Sequence, residues 1–143
     1  MVPTTGRTLG EECLLSIPSY VKLVEALLEN NVEIHSILPA TGDGVGKLAF
    51  DKRQFTYRVH SWVRVPPLFQ YLNEELSVGL EDCLKTFNWG IGIYFYVPRS
   101  EVKKAIQHAH RAGYDLHELG VVEKGERMTI FEPEGITLPP PGE

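Results

Sequence analysis

The stretch Ile91-Gly92-Ile93-Tyr94-Phe95-Tyr96-Val97 carries no charged side chain and stops at Pro98. Successive side chains point to opposite faces of a strand, so a run of β-formers without polar alternation predicts a strand covered on both sides. The next residues supply a cover. Ser100 is a candidate N-cap with Glu101 in the first turn, and Val102, Ala105, Ile106 and Ala109 recur at helical spacing as one apolar stripe. Gly113 suits the left-handed position that closes a helix. A buried strand followed at once by an amphipathic helix predicts a layered domain in which the helix packs on the strand.

The rest of the chain extends this pattern. Val21, Val24, Leu27 and Leu28 predict a first helix, with Pro18 upstream and Asn30-Asn31 as its stop. Residues 32–38 alternate, with Val32, Ile34 and Ser36 on one face and His35 and Ile37 on the other. They predict a strand that runs into the Gly-rich turn Thr41-Gly42-Asp43-Gly44-Val45-Gly46. Phe55, Tyr57 and Val59 alternate with Thr56, Arg58 and His60 as a second half-buried strand. Pro66-Pro67 then opens a helix carrying Leu68, Phe69, Leu72 and Leu76. Residues 114–122 read as a strand, 123–126 as a turn and 128–131 as its hairpin partner. The order predicts an α+β fold, in α/β layers, with one mixed sheet and helices on one face. The domain is expected over 6–131. Residues 1–5 and 132–143 are expected as flexible tails, the second because three consecutive prolines cannot donate to a ladder. There is no internal repeat.

A length of 143 residues suits one domain, and 43% hydrophobic with 23% charged residues is ordinary for a globular chain. The net charge of -5 gives no footprint for nucleic acid or an anionic membrane, where clustered Lys and Arg drive binding. No apolar run approaches the roughly 20 residues of a membrane helix, and no signal peptide opens the chain, so the cytoplasm is the expected compartment. Cys13 and Cys83 form no Cys-x-x-Cys pair and are expected as reduced thiols.

Local motifs name no enzyme class. His108 and His110 lie two apart on a helix, about 200° around its axis, so they cannot share a metal as an i, i+4 pair can. His35, His60 and His117 lack ligand spacing. Neither Gly-x-Ser-x-Gly nor Gly-x-x-x-x-Gly-Lys occurs. The Gly-rich turn has two readings. Glycines reach the backbone conformations that aim several N–H groups at an anion, which would make a phosphate site of Thr41, Gly42 and Gly44. Asp43 favours a plain turn, because a carboxylate repels phosphate unless a cation lies between them; in that case Asp43 is the weak metal candidate. No other metal ligand is indicated.

Thr86-Phe87-Asn88-Trp89-Gly90-Ile91-Gly92 closely resembles the Thr-Phe-Asn-Met-Gly-Ile-Gly element of aminoimidazole ribonucleotide synthetase, the phosphoribosylformylglycinamidine cyclo-ligase family. Gly6-Arg7-Thr8-Leu9-Gly10-Glu11-Glu12 resembles the segment that opens that family's carboxy-terminal domain. Tyr20-Val21-Lys22 resembles its Ile-Tyr-Val-Lys, and Val65-Pro66-Pro67-Leu68-Phe69 its Val-Pro-Pro-Ile-Phe. The resemblance spans nearly all of 6–131. Physically, glycines 90 and 92 fit a place where close backbone approach or a bulge excludes larger side chains.

The departures fall elsewhere. The family's loop reads His-Ile-Thr-Gly-Gly-Gly, and alignment on Thr-Gly puts Pro39 at its His and Asp43 at its middle Gly. Residues 47–51 match the following Glu-Asn-Leu-Pro-Arg at no position. Thr41, Gly42 and Gly44 remain. The family's ATP-binding segments and dimer interface lie in an amino-terminal domain, outside this resemblance. Two functions are implied. In the first, a stand-alone, non-catalytic domain binds a phosphorylated small molecule or a partner protein and needs no cofactor. In the second, the chain is the substrate-binding half of an ATP-dependent cyclo-ligase of purine biosynthesis, excised or split, which requires Mg-ATP and an amino-terminal domain. Ligand contacts are expected at Thr41, Gly42 and Gly44, with Asn88 a further candidate, and no catalytic residue is expected in this half.

Overall fold

A computed structural model describes residue 2 and residues 5–143. Of the tail expected at 1–5, Met1, Pro3 and Thr4 lie outside the described residues, while Val2 is fully buried and its N–H donates to the Arg7 carbonyl at 2.7 Å. In chain order the elements are α1 (Leu9–Cys13), α2 (Val21–Glu29), β1 (Ser36–Pro39), β2 (Phe55–Val59), α3 (Pro67–Glu74), α4 (Leu80–Thr86), β3 (Ile93–Tyr96), α5 (Val102–Arg111), β4 (Gly120–Lys124), β5 (Met128–Phe131) and β6 (Ile136–Leu138). Short 3₁₀ turns occupy Val45–Ala49, Arg99–Glu101 and Glu132–Glu134. The fold is α+β. Its strands divide between two sheets rather than one, and the chain between two compact units.

One unit comprises Ile17–Pro39 and Ile93–Glu118. Here β1 and β3 pair antiparallel, Ser36 opposite Tyr96 and Pro39 opposite Ile93. Leu23 and Leu27 of α2, Val32, and Ala105 and Ala109 of α5 form the core, and Ile93, Phe95 and Val97 pack against it from one face of the strand. The predicted α5 stripe is therefore present: Ala105 and Ala109 are buried, Val102 and Ile106 half-buried. Tyr94, on the opposite face, is buried as well, and burial pushes its hydroxyl pKa up.

Gly113 sits at φ +88°, and the N–H groups of Gly113 and Tyr114 close the helix on the carbonyls of His110 and Ala109. Ser100 is not the cap. The turn Arg99–Glu101 precedes α5, which has no side-chain cap. Glu101 instead accepts the Glu33 N–H at 3.1 Å and Lys104 Nζ at 3.2 Å, and these bonds hold its carboxyl below the usual carboxylate range. The predicted α2 stripe is also rotated. Leu23 and Leu27 face the core, whereas Val21 is 62% and Leu28 57% exposed. Of the predicted strand 32–38, only its end is paired, as β1.

The other unit comprises Met1–Ser16, Ala40–Gly92 and Leu119–Glu143. Its mixed sheet has the order β4-β2-β5-β6, with β2 parallel to β5 and antiparallel to β4. The hairpin predicted between 114–122 and 128–131 is thus absent, because β2 lies between β4 and β5. The turn after β4 passes across the end of β2. Gly125 donates to the Gln54 carbonyl at 3.4 Å, Thr56 Oγ1 donates to the Glu126 carbonyl at 2.8 Å, and a Cβ on Gly125 would stand 2.6 Å from Thr56 Oγ1.

Residues 132–143 are not an unpaired tail. After Gly135 at φ +64°, β6 pairs antiparallel with β5 and buries Leu138 completely. The prolines follow the strand, so their missing N–H groups cost no ladder bond. Two helices were not predicted. In α1, Thr8 and Glu11 form a capping box; α4 buries Cys83 and Leu84. Both cysteines are free thiols. Among the described residues no helix is long and apolar enough to cross a membrane.

Candidate functional site

The Gly-rich turn leaves β1 and enters the 3₁₀ turn Val45–Ala49. Gly42, Asp43 and Gly44 have φ of +82°, +58° and +55°. An anion-cradling nest pairs right- with left-handed residues; three consecutive positive φ values give a different backbone. The two glycines also differ. A Cβ at Gly42 would meet nothing within 4 Å, but one at Gly44 would lie 2.2 Å from the Leu84 carbonyl oxygen and 2.6 Å from the Lys85 carbonyl carbon. Gly44 is therefore where the loop backbone is pressed against the end of α4, whereas Gly42 faces open space.

Thr41 is exposed, and Lys47 folds back onto it. Lys47 Nζ donates to the Thr41 carbonyl at 2.9 Å and to Oγ1 at 2.8 Å. This places a full positive charge and a hydroxyl together at the loop mouth. Lys47 carried no sequence signal, since it returns to Thr41 across a turn rather than along one face of a helix or strand. Asp43 lies at a cleft of about 120 Å³ that it shares with Gly46, Lys85 and residues 139–143. Among the described residues no group of three or more His, Cys, Asp or Glu side chains is placed to hold a metal ion. The donor set around Asp43 does not fit a Mg-ATP site.

Asn88 has a structural task. Its Oδ1 accepts the Gly90 N–H at 3.0 Å, an Asx-type turn in which Trp89 and Gly90 both take positive φ. Trp62 Nε1 donates to the Trp89 carbonyl at 2.9 Å, and a Cβ on Gly90 would lie 2.6 Å from Pro66 Cδ. Phe69 packs on Phe87 and Trp89 with ring centroids 5.5 and 5.7 Å away. The segments 65–69 and 86–92, far apart in sequence, are thus folded against each other. The Ala40 N–H donates to the Gly92 carbonyl at 3.0 Å, which ties the second segment to the start of the Gly-rich loop.

Several other ionisable groups form surface pairs. Arg58 bridges Glu123 and Glu132 at 3.3 and 3.1 Å, and His60 Nδ1 lies 2.8 Å from Glu132. His60 and Arg58 together hold the Glu132 carboxyl below its ordinary value. Arg53 does the same for Asp51, down to about 2. His35 pairs with Glu33, and His110 stands 3.7 Å from Asp115. Such exposed pairs contribute little to stability, because water and salt screen them.

No protein-family model matches the chain. Individual proteins do. A phosphoribosylformylglycinamidine cyclo-ligase of Alkaliphilus oremlandii is 31% identical over 130 residues, covering 88% of this chain and 38% of that protein. The one of Desulfotalea psychrophila is 31% identical over 139 residues, with 91% and 38% covered. That of Methanobrevibacter smithii is 28% identical over 134 residues, with 94% and 39% covered. The chain therefore spans well under half the length of these curated relatives. The segments 65–69 and 86–92, whose sequences resemble that family's, are packed together in the structure, Gly90 on Pro66 and Phe69 on Trp89. On this identity and coverage the chain is similar to a little over a third of the length of phosphoribosylformylglycinamidine cyclo-ligases, consistent with a domain like their carboxy-terminal one.

Proposed function

We propose that this chain is a cytoplasmic ligand-binding domain of the cyclo-ligase type, which takes a phosphorylated small molecule at its Gly-rich loop and does not close an imidazole ring by itself. The observation carrying this reading is the Lys47 ammonium fixed on Thr41 beside the open backbone of Gly42. A lysine ammonium is a compact point charge suited to phosphate, and a threonine hydroxyl adds a donor. Asp43 sets the sign of the test. If phosphate binds the loop directly, Asp43→Gly removes a like charge and a left-handed non-glycine residue. Affinity should then rise by about 1 kcal/mol or more, below the ceiling of ~4 kcal/mol for unit charges 4 Å apart at an effective dielectric of 20. Calorimetric titration of ribose 5-phosphate into both proteins, with and without Mg²⁺, measures it. Weaker binding by the variant only with Mg²⁺ would assign Asp43 to a bridging cation. No binding by either protein would leave a plain turn.

A second reading rests on the extent of the match, 88% of this chain against 38% of a relative. The chain would then be the substrate-binding half of a working enzyme, completed by an amino-terminal domain that supplies the Mg-ATP site. The reaction would be ATP-dependent closure of formylglycinamidine ribonucleotide to aminoimidazole ribonucleotide. The expected result is no product from this protein alone and product on mixing with the amino-terminal domain of a relative. Turnover by the purified chain alone, or none after mixing, would count against this reading.

A further inference from the structure

The cleft beside the Gly-rich loop is walled on one side by residues 139–143. Residues 139–143 follow β6 as a strap, anchored by the buried Pro140 and turned by a Glu143 N–H bond to the Pro140 carbonyl at 3.3 Å. The strap lies on the 3₁₀ turn that continues the loop. A Cβ on Gly46 would stand 3.2 Å from the Pro139 carbonyl oxygen. Together with Asp43, Gly46 and Lys85, the strap bounds the cleft of about 120 Å³, several times the roughly 15 Å³ that one water requires.

Arg127 does not line this cleft and reaches it through Glu143. Its Nε donates to the carbonyls of Ala49 and Asp51 at 3.0 and 2.9 Å, and Nη2 reaches the Phe50 carbonyl at 3.4 Å. The guanidinium thus clamps the end of the turn that begins at the Gly-rich loop. Nη1 points the other way, to Glu143 Oε1 at 3.1 Å. The two partners are unequal. The Arg127 side chain is 15% exposed and that of Glu143 65%. A largely desolvated guanidinium needs an anion, while a carboxylate held from an exposed strap is bound weakly and screened by salt. A phosphate group, with a charge of about -1.5 to -2 and three acceptor oxygens, is the stronger partner for an arginine fork.

We infer that Glu143 is a built-in competitor for the anion position at Arg127, and that the strap 139–143 moves aside when the cleft beside the Gly-rich loop takes a phosphorylated ligand. This rests on the phosphate reading of the loop proposed above. It adds Arg127, which no sequence motif marked, as a ligand-binding residue, and it gives the site an internal regulator.

The test titrates inorganic phosphate and ribose 5-phosphate into the wild-type chain, Glu143→Gln, Arg127→Lys and, as a control for overall charge, Glu134→Gln. Calorimetry at about 50 mM and 500 mM salt spans the range over which screening acts. Glu143→Gln should lower Kd by about twofold to fivefold at low salt, with the gain fading at high salt. Arg127→Lys should raise Kd, and Glu134→Gln should leave it unchanged. In wild-type protein the amide signals of Gly142 and Glu143 should shift as phosphate is added. Binding to wild type that Glu143→Gln leaves equal or weakens would overturn the strap inference alone. A total lack of binding by every variant would overturn it together with the phosphate reading.

Discussion

Gly44→Ala is expected to cost about 3 kcal/mol or more of unfolding free energy, and Gly42→Ala only about 1 kcal/mol, although both glycines take positive φ. Both substitutions force an L-residue to positive φ, at roughly 1–2 kcal/mol for a left-handed residue and up to about 3 kcal/mol at Gly44, whose ψ of -147° belongs to a region used essentially by glycine alone. Only at position 44 does the new methyl group also collide with fixed backbone, 2.2 Å from the Leu84 carbonyl oxygen at the end of α4. Backbone cannot rotate aside as a side chain can, so either the loop or the helix end must shift, and overpacking of this kind adds about 1–3 kcal/mol. Urea denaturation would show this as a large drop in midpoint for Gly44→Ala at unchanged slope. Equal losses for the two variants would mean that conformation alone explains both glycines. The outcome bears on the site too, because it separates a glycine kept for packing from one left open to a ligand.

What the sequence revealed follows from the range of the forces involved. The strand 91–97 and the stripe Val102, Ala105, Ile106 and Ala109 were legible because each is a local periodic pattern, and the core of that unit uses it directly. The turn at 88–90 was legible as a place for glycine, and Pro66 against Gly90 explains it. Strand pairing was not legible. Nothing local says that β2 slips between β4 and β5, and the residue that permits close pairing there, Gly120, lies unmarked inside the segment 114–122 that reads as one strand. In the structure its Cβ position is 1.9 Å from the Arg58 carbonyl oxygen, so only glycine fits beside β2. The carboxy-terminal strand was missed because three prolines obscured Leu138, whose burial depends on pairing with β5.

The site divides in the same way. Thr41, Gly42 and Gly44 were candidates from composition, whereas Lys47 and Arg127, which enter the proposed site, gave no sequence signal and are placed by folding. Lys47 returns across a turn, and Arg127 comes from beyond β4 to reach the carbonyls of Ala49 and Asp51. Single arginines and lysines on a chain with a net charge of -5 give no pattern to read. Asn88, a candidate by residue type, accepts the Gly90 N–H and so shapes the turn.

Leu27→Ala is expected to cost about 2–5 kcal/mol, whereas Leu28→Ala should stay within about 0.5 kcal/mol. The two neighbours have the same chemistry, and periodicity alone placed both in one apolar stripe. The structure separates them by 100° of helix rotation. Leu27 is fully buried among Leu23, Val32, Ala105 and Ala109, while more than half of Leu28 is in water. Truncating Leu27 removes three buried carbons and leaves a cavity between α2 and α5, and the spread in cost reflects how far those helices can close over it. Truncating Leu28 removes surface that water already reaches. Thermal or urea unfolding of the two variants, followed by circular dichroism, measures the difference directly. Comparable losses from both would show that Leu28 is covered in solution, and would point to an interface on the outer side of α2, where Val21 is also exposed.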